Sequence, residues 1–339
     1  MTYPNEISSN HTVSLHRNDF SGQWNSASTV GGVGVWVLCL AWARWGGLSL
    51  GAAESLFLLA PLVTIPLGLR LAVGGLGQGK TLYRLTVVLQ PLGALMAAGA
   101  FALPVGKWAG ALATGWLGVT ACIALCGLAG WLQSGLPLLE RTCLNVGLVY
   151  LPFGGFWFMA SRLGLTPSGF KEPIVLLTAV HFHYAAFAAP ILTALVGIAL
   201  RATSGARHKL FPFAAWSVMA GPPLLAAGWA LSSTLLKFAA AYLLAAGLAV
   251  VAVLILSLIP SLHSALAKFL LALSALSVVA GMCLVCMYAA GEYIGPKVIT
   301  IPQMTVTHGV INCLGFTLCG LLAWRVEGTT WKTTALPMI

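Results

Sequence analysis

Two histidines stand inside an apolar stretch of this chain, in the sequence Thr178-Ala-Val-His-Phe-His-Tyr184. The stretch from 173 to 200 is long enough to cross a bilayer, where hydrocarbon penalises polar and ionisable groups. An imidazole in that setting has either a hydrogen-bond partner or a functional role. Because a histidine side chain takes up and releases protons near neutral pH, His181 and His183 are candidates for general acid–base chemistry.

Other ionisable side chains are expected in the same half of the membrane. From Pro173, His181 lies roughly 12 Å deep at 1.5 Å per residue. His308 falls in the first turns of the stretch 304–324, Glu54 near the start of 51–72, and Glu292 just after 266–290. We therefore predict a catalytic group of His181, His183, Glu54 and Glu292, in which one carboxylate orients His181. The polar end of a substrate would be bound by Tyr184, His308, Asn312, Tyr150, Arg162 and Glu140.

Helix geometry limits how the two neighbouring histidines cooperate. His181 and Tyr184 are three residues apart and share a helix face, whereas His183 points about 200° away from His181. Both rings reach one cavity only if the helix is distorted there. Pro190 removes the hydrogen bond to the carbonyl of Ala186, but this lies further along the helix. We expect one histidine in the site and the other bonded to a neighbouring helix.

A purely structural reading stays open for each of these residues. His308 and Asn312 are four apart on one face, and the nearby Gly309 and Gly315 allow close helix packing. Glu140 stands at a helix start, where the helix dipole favours an acid. Arg162 follows its span and is suited to anchoring that span at lipid headgroups.

Cofactor and nucleotide sites are not expected. Two or three histidines with a carboxylate suit zinc or iron, but H-x-H on a regular helix splays its rings, so we predict no metal, haem or other cofactor. The stretch Gly74–Thr81 matches G-x-x-x-x-G-K-[ST]. A P-loop needs an α/β domain, for which a short loop between spans leaves no room, so we expect neither nucleotide nor nucleic acid as a partner.

Composition places the chain in a membrane. Of 339 residues, 59% are hydrophobic and only 7% are charged, against about 25% charged in a typical soluble domain. The fold class is therefore an all-α, polytopic bundle with nine or ten transmembrane helices. We predict a polar tail at 1–30, one membrane domain at 31–325 and a short tail at 326–339. The predicted spans are 31–48, 51–72, 85–104, 108–131, 137–160, 173–200, 211–230, 233–258, 266–290 and 304–324.

Loop charges predict the orientation. The net charge is +10, and the basic residues lie mostly in short loops, which points to topology rather than to nucleic acid. Ten spans put eleven basic residues on one side and six on the other. The positive-inside rule then places both termini in the cytoplasm of a cell-membrane protein, with the predicted site in the outer half. Span 211–230 contains Gly221-Pro222-Pro223, which should kink it or make it re-entrant.

Several motifs resemble the YndJ-like family of bacterial membrane proteins. The specific block is Leu177-Thr-Ala-Val-His-Phe-His-Tyr-Ala-Ala-Phe-Ala-Ala-Pro190, and Gly169-Phe-Lys-Glu-Pro-Ile174 and Thr307-His-Gly309 are similar too. The resemblance covers most of the chain after residue 50. It implies a multi-pass protein of a family commonly described as transporters without a defined substrate. The family pattern often has Asp where this chain has Asn145, which puts a carboxylate role there in doubt.

Two functions compete on the residues alone. The first is an intramembrane enzyme that uses His/Glu acid–base chemistry on a lipophilic, isoprenoid- or lipid-like molecule, for example by protonation-initiated cyclisation, isomerisation or epoxide opening. The second is a proton-coupled secondary transporter of the YndJ type. A structural membrane subunit, whose histidines serve only in packing, is the third. The expected partners are the lipid bilayer and a small lipophilic molecule or solute.

Overall fold

The computed structural model describes residues 20–72, 80–133, 138–201, 206–296 and 298–328. Within these ranges the chain is helical and contains no β-strand. Nine helices in this part of the chain are long and apolar enough to cross a membrane. The predicted all-α membrane bundle is therefore confirmed.

Thirteen α-helices and four π-helical segments make up the described bundle, and several combine into one membrane-spanning unit. The α-helices are α1 (Phe20–Arg44), α2 (Ala52–Leu59), α3 (Ile65–Ala72), α4 (Lys80–Phe101), α5 (Lys107–Gln133), α6 (Leu139–Leu163), α7 (Ile174–His183), α8 (Ala189–Arg201), α9 (Phe211–Ala230), α10 (Thr234–Leu258), α11 (Ala265–Ile294), α12 (Ile301–Met304) and α13 (Cys319–Glu327). The π segments are π1 (Ala60–Thr64), π2 (Tyr184–Ala188), π3 (Thr305–Gly309) and π4 (Ile311–Leu318).

Contacts between loops and helix ends define two opposite ends of the bundle. At the end named here the Arg162 end, the Gly106 amide donates to the Arg162 carbonyl at 2.9 Å, and the Lys237 ammonium pairs with the Glu292 carboxylate. At the other end, named the Arg201 end, the Arg201 guanidinium donates to both oxygens of Glu140 at 2.8 and 3.0 Å. The chain therefore alternates between the two ends as the predicted spans require.

Aromatic side chains cluster at the Arg162 end. Trp157 and Trp229 both pack against Phe170, with ring centroids 6.2 and 6.1 Å apart. The Lys237 ammonium lies 4.5 Å from the centroid of Trp229. Tryptophans beside a lysine are typical of the membrane–water interface, so this level marks where the helices leave the hydrocarbon.

The structure shows no re-entrant segment in the span 211–230. α9 is one continuous helix that contains both Pro222 and Pro223. It lies antiparallel to α10 along its length: a Cβ on Gly221 would approach the Leu244 side chain, and one on Gly228 would approach the Lys237 backbone. The helix therefore runs on past its prolines while it packs closely on α10. α9 is not one of the nine helices that are long and apolar enough to cross a membrane, but it runs beside them as a tenth.

The first helix begins earlier than predicted. α1 starts at Phe20, inside the segment predicted to be a polar tail, and ends at Arg44. Its polar residues have partners on α4, since the Asn25 amide donates to the Tyr83 hydroxyl at 2.8 Å and Ser28 donates to Gln90 at 2.8 Å. These hydrogen bonds satisfy polar groups within the bundle, which explains why a polar stretch forms part of the helix. Residues 1–19, 329–339 and most of Gly74–Thr81 lie outside the described residues.

We expect Gly32→Val to loosen α1 from the bundle. A Cβ at Gly32 would lie 1.8 Å from the Leu62 carbonyl oxygen, so the helix must shift at a cost of about 1–3 kcal/mol. Gly31 and Gly34 have open space at the same position, and Gly31→Val and Gly34→Val are therefore matched controls. SDS titration of the detergent-solubilised protein measures the free energy of unfolding of each variant. Equal destabilisation by all three variants would show that helix propensity rather than this contact is responsible.

Two of the π segments have a local cause in the sequence. π1 ends two residues before Pro66, and π2 ends two residues before Pro190. Each proline lacks the amide that would bond the carbonyl four residues earlier, and its ring disfavours regular α geometry there. A shift to i→i+5 bonding accommodates this loss. The distortion near Pro190 starts just after His183, so both histidines remain on the regular helix α7.

Candidate functional site

His181 and His308 lie side by side. Their ring centroids are 6.4 Å apart and their planes differ by 22°. Each residue is seven positions from the start of its helix at the Arg162 end, α7 for His181 and α12 for His308. At 1.5 Å per residue both rings are about 10 Å below that end. Two distant segments thus bring two imidazoles to one place at one depth.

The hydrogen bond of His181 fixes its tautomer. Its Nδ1 is 2.7 Å from the Leu177 carbonyl oxygen, and a carbonyl only accepts, so Nδ1 carries the proton. The Nε2 lone pair is then a base, and no protein group in the described ranges donates to it. The side chain is exposed. His181 therefore presents an accessible basic nitrogen about 10 Å below the Arg162 end of the bundle.

His308 is held by two partners at one nitrogen. Its Nδ1 is 3.1 Å from the Gly281 carbonyl oxygen on α11 and 3.0 Å from Nδ2 of Asn312. The same Nδ2 donates to the His308 carbonyl at 2.8 Å. The ring is part-buried, and its Nε2 has no protein partner among the described residues. Both imidazoles therefore keep Nε2 free for a ligand.

The helix unit that carries His181 is largely buried except for one stripe of accessible residues. The span Ile174–Arg201 is among the most enclosed of the bundle, since 83% of the residues in its most apolar stretch are buried. One stripe of it is nevertheless accessible, and this stripe runs from Ile174 through Leu177 and Thr178 to His181 and Ala185. Residues 186–197 are all buried. The accessible stripe therefore runs from the Arg162 end of α7 to just below His181.

His183 has a packing role. It is fully buried; its Nδ1 is 2.7 Å from the Ala179 carbonyl, and its Nε2 accepts the Trp116 indole N–H at 3.0 Å. Its ring also packs against Phe57 at 4.9 Å. Both nitrogens are thus satisfied by protein, and no lone pair remains for a substrate. The structure separates His183 from the site, as the 200° offset from His181 on a regular helix requires.

Neither predicted carboxylate orients His181. Glu54 accepts from the Gly51 amide at 3.0 Å and caps α2. Glu292 pairs with Lys237, and it lies eleven residues, about 16 Å along α11, from Gly281, whose carbonyl contacts His308. The orienting acceptors are backbone carbonyls instead. The sequence pointed to the carboxylates because it shows depth but not which helix face meets which.

Three of the predicted substrate-binding residues join helices to one another. The Tyr184 hydroxyl is buried and donates to the Leu56 carbonyl at 2.8 Å. Tyr150 donates to the Met219 carbonyl at 3.1 Å, which ties α6 to α9. Glu140 is paired with Arg201 at the opposite end of the bundle. These roles correct the prediction, because each polar atom is already used within the protein.

Arg162 lies in a polar cluster at the start of α7. Its guanidinium donates to the Ser161 hydroxyl at 3.1 Å and sits 4.6 Å from the Phe101 ring centroid. Ser161 in turn donates to Glu172, which also accepts from the Leu176 amide at 3.2 Å. This network fixes the start of α7, the helix that carries His181. The contacts of Arg162 therefore serve the structure of the bundle.

Sequence reasoning missed Trp116 and Gly281. Trp116 has no pattern that singles it out from the other eleven tryptophans. Gly281 had a usable signal, since a glycine inside an apolar span often marks close helix contact. Among the described residues, no group of three or more His, Cys, Asp or Glu side chains is placed to hold a metal ion. The eight cysteines, all within this part of the chain, are free thiols.

Comparison with known proteins supports the family resemblance seen in the sequence. The sequence profile of the YndJ-like protein family matches residues 55–316. The chain is 32% identical over 219 residues to the uncharacterized membrane protein YndJ of Bacillus subtilis (strain 168), across 64% of this chain but only 39% of that protein. No solved structure matches. Because the family profile covers most of its length, this multi-pass membrane protein belongs to the YndJ-like family.

Proposed function

We propose that the protein is an intramembrane enzyme in which His181 and His308 perform general acid–base chemistry on an amphiphilic, lipid- or isoprenoid-like molecule. The observation that carries this proposal is the pair of imidazoles with free Nε2 atoms, whose ring centroids lie 6.4 Å apart beside the accessible stripe of α7. Acid–base catalysis needs a proton acceptor and a proton donor on either side of one reacting group. Two imidazoles, each with one free ring nitrogen, can supply both.

The two rings take different roles in this proposal. His181 acts as the base, because the Leu177 carbonyl holds the proton at Nδ1 and leaves Nε2 to accept. His308 serves as donor or acceptor at the other side of the substrate. Asn312 holds the His308 ring. Carboxylates are left out of the catalytic group, since Glu54 and Glu292 are engaged elsewhere.

The residues of the accessible stripe support an amphiphilic substrate. The stripe combines apolar Ile174 and Leu177 with polar Thr178 before it reaches His181. A reactive polar group beside His181 and an apolar body nearer Ile174 would suit this order. Low dielectric around the rings strengthens hydrogen bonds to the reacting group.

A proton-coupled transporter is the second candidate, and the π segments favour it. The site lies between helix units that contain π1, π2 and π3. Helices interrupted near mid-membrane are common in transporters, where they frame the substrate site. In that reading the structure represents one state of alternating access, in which His181 is accessible. The His181–His308 pair then carries the coupled proton.

Lipid profiling of membranes distinguishes the two candidates. Membranes are compared from cells with the wild-type gene, with His181→Gln and without the gene. An enzyme produces a molecule that disappears in both mutant strains. A transporter leaves every molecule chemically unchanged but redistributes one between the two sides. Identical profiles and distributions in all three strains would contradict both.

We also propose that the Arg162 end faces outward and that both termini are cytoplasmic. The basis is the excess of lysine and arginine in the loops of the Arg201 end, which the positive-inside rule assigns to the cytoplasm. A phosphatase fusion after residue 328 should then be inactive and a fluorescent-protein fusion bright. The reverse pattern would contradict this orientation and would place the site in the inner half of the membrane.

A further inference from the structure

The surroundings of His308 contain an acceptor and a donor aimed at the same ring nitrogen. Nδ1 is 3.1 Å from the Gly281 carbonyl oxygen and 3.0 Å from Nδ2 of Asn312. A carbonyl oxygen only accepts a hydrogen bond, so it favours a proton on Nδ1. An amide NH₂ only donates, so it favours a lone pair there. A neutral imidazole can satisfy one of these partners at a time.

The orientation of the Asn312 amide is fixed by a second contact. Its Nδ2 atom also lies 2.8 Å from the His308 backbone carbonyl oxygen. If the amide were flipped, its oxygen would face that carbonyl oxygen with no proton between them. The hydrogen-bond network therefore places the NH₂ at this position, with one hydrogen for the carbonyl and one for Nδ1.

Gly281 makes this arrangement possible. A Cβ at this residue would lie 2.1 Å from Nδ2 of Asn312, so any larger residue pushes the amide away from the ring. The missing side chain brings α11 and the last helix close enough for the Gly281 carbonyl to reach His308. Gly281 and Asn312 thus act together on one ring.

We propose that Gly281 and Asn312 are positioning residues that keep both neutral tautomers of His308 accessible. With the proton on Nδ1, bound to Gly281, Nε2 is a base. With the proton on Nε2, Nδ1 accepts from Asn312, and Nε2 is a donor. Each tautomer keeps one hydrogen bond, so His308 changes between acceptor and donor at little cost. His181 lacks this choice, because only the Leu177 carbonyl meets its Nδ1.

The catalytic meaning of this inference rests on the proposed function, but the tautomers themselves are measured without a substrate. The full chain, labelled with ¹⁵N-histidine in lipid bilayers, is examined by NMR above pH 7.5, where its histidines are neutral by reference values. His308→Gln identifies the signals of His308. We expect either both tautomers of His308 or shifts intermediate between them, and only the Nδ1–H form of His181.

Variants of the two partners shift the tautomer ratio. Asn312→Leu removes the donor and should move His308 towards the Nδ1–H form by roughly fivefold, the effect of one neutral hydrogen bond. Gly281→Ala displaces the Asn312 amide and should shift the ratio in the same direction. Thr307→Val is the matched control, because the Thr307 hydroxyl bonds the Gln303 carbonyl on its own helix.

The outcomes separate the two claims. A single tautomer of wild-type His308, or a ratio that neither Asn312→Leu nor Gly281→Ala changes, overturns the inference. The wild-type spectrum alone decides if both variants fail to fold. If lipid profiles show no product while the ratio shifts as expected, the proposed enzyme fails but the tautomer inference holds.

Discussion

Replacing either His181 or His308 by glutamine is expected to lower product formation by about 10²- to 10⁴-fold, the usual contribution of a general acid or base. Glutamine keeps a polar side chain of similar size but does not exchange a proton near neutral pH. His181→Gln loses one hydrogen bond within its own helix, and His308→Gln loses the Nδ1 contacts with Gly281 and Asn312, each worth about 1 kcal/mol. The amount of folded protein in the membrane should therefore remain close to that of the wild type.

His263→Gln is the matched control for these two variants. His263 lies at the Arg201 end, with its side chain 96% exposed and paired with Glu327. Its replacement should leave product formation unchanged. Lipid extraction and mass spectrometry measure the product, and fluorescence-detected size exclusion measures the folded amount. If both site variants make normal amounts of product, the two rings do not form the catalytic pair.

Replacing His183 by alanine is expected to destabilise the protein by about 3 kcal/mol, within the range for large buried side chains. The change leaves a cavity against Phe57 and leaves the buried Trp116 indole N–H without its acceptor. An unsatisfied buried donor alone costs about 1–3 kcal/mol. By contrast, His181→Gln, only two residues away, is expected to lower product formation while the folded amount stays close to that of the wild type.

Trp116→Phe provides a graded comparison with His183→Ala. It removes the same hydrogen bond but keeps an aromatic ring in the space, so it should cost less than His183→Ala. SDS-induced unfolding in mixed micelles measures both, with His181→Gln as the reference of near wild-type stability. A His183→Ala protein as stable as the wild type would show that the Trp116 contact contributes nothing to folding.

The elements of the site were predictable from hydrophobic pattern and chain length. The predicted spans 137–160 and 173–200 correspond to α6 (Leu139–Leu163) and to the unit from Ile174 to Arg201. The predicted span 304–324 put His308 within its first turns, whereas the last helix unit begins earlier, at Ile301, and this brings His308 to the depth of His181. Span boundaries are readable because the hydrocarbon thickness fixes helix length.

The partners of each side chain were not predictable from one sequence. Whether an imidazole meets Trp116, Gly281 or another imidazole depends on how the helices are rotated and packed. Glu292 was predicted to orient His181, but in the structure it pairs with Lys237. The π segments before Pro66 and Pro190 had a visible cause, whereas π3 and π4 in the last helix have no following proline within the described residues.

A ring-to-ring NMR correlation between His181 and His308 tests the shared site most directly. The full chain, labelled with ¹³C,¹⁵N-histidine in lipid bilayers, is measured in a long-mixing carbon–carbon experiment. With centroids 6.4 Å apart, the two rings should give a cross-peak that vanishes in both His181→Gln and His308→Gln. Resolved signals from both rings without any cross-peak would contradict a common site.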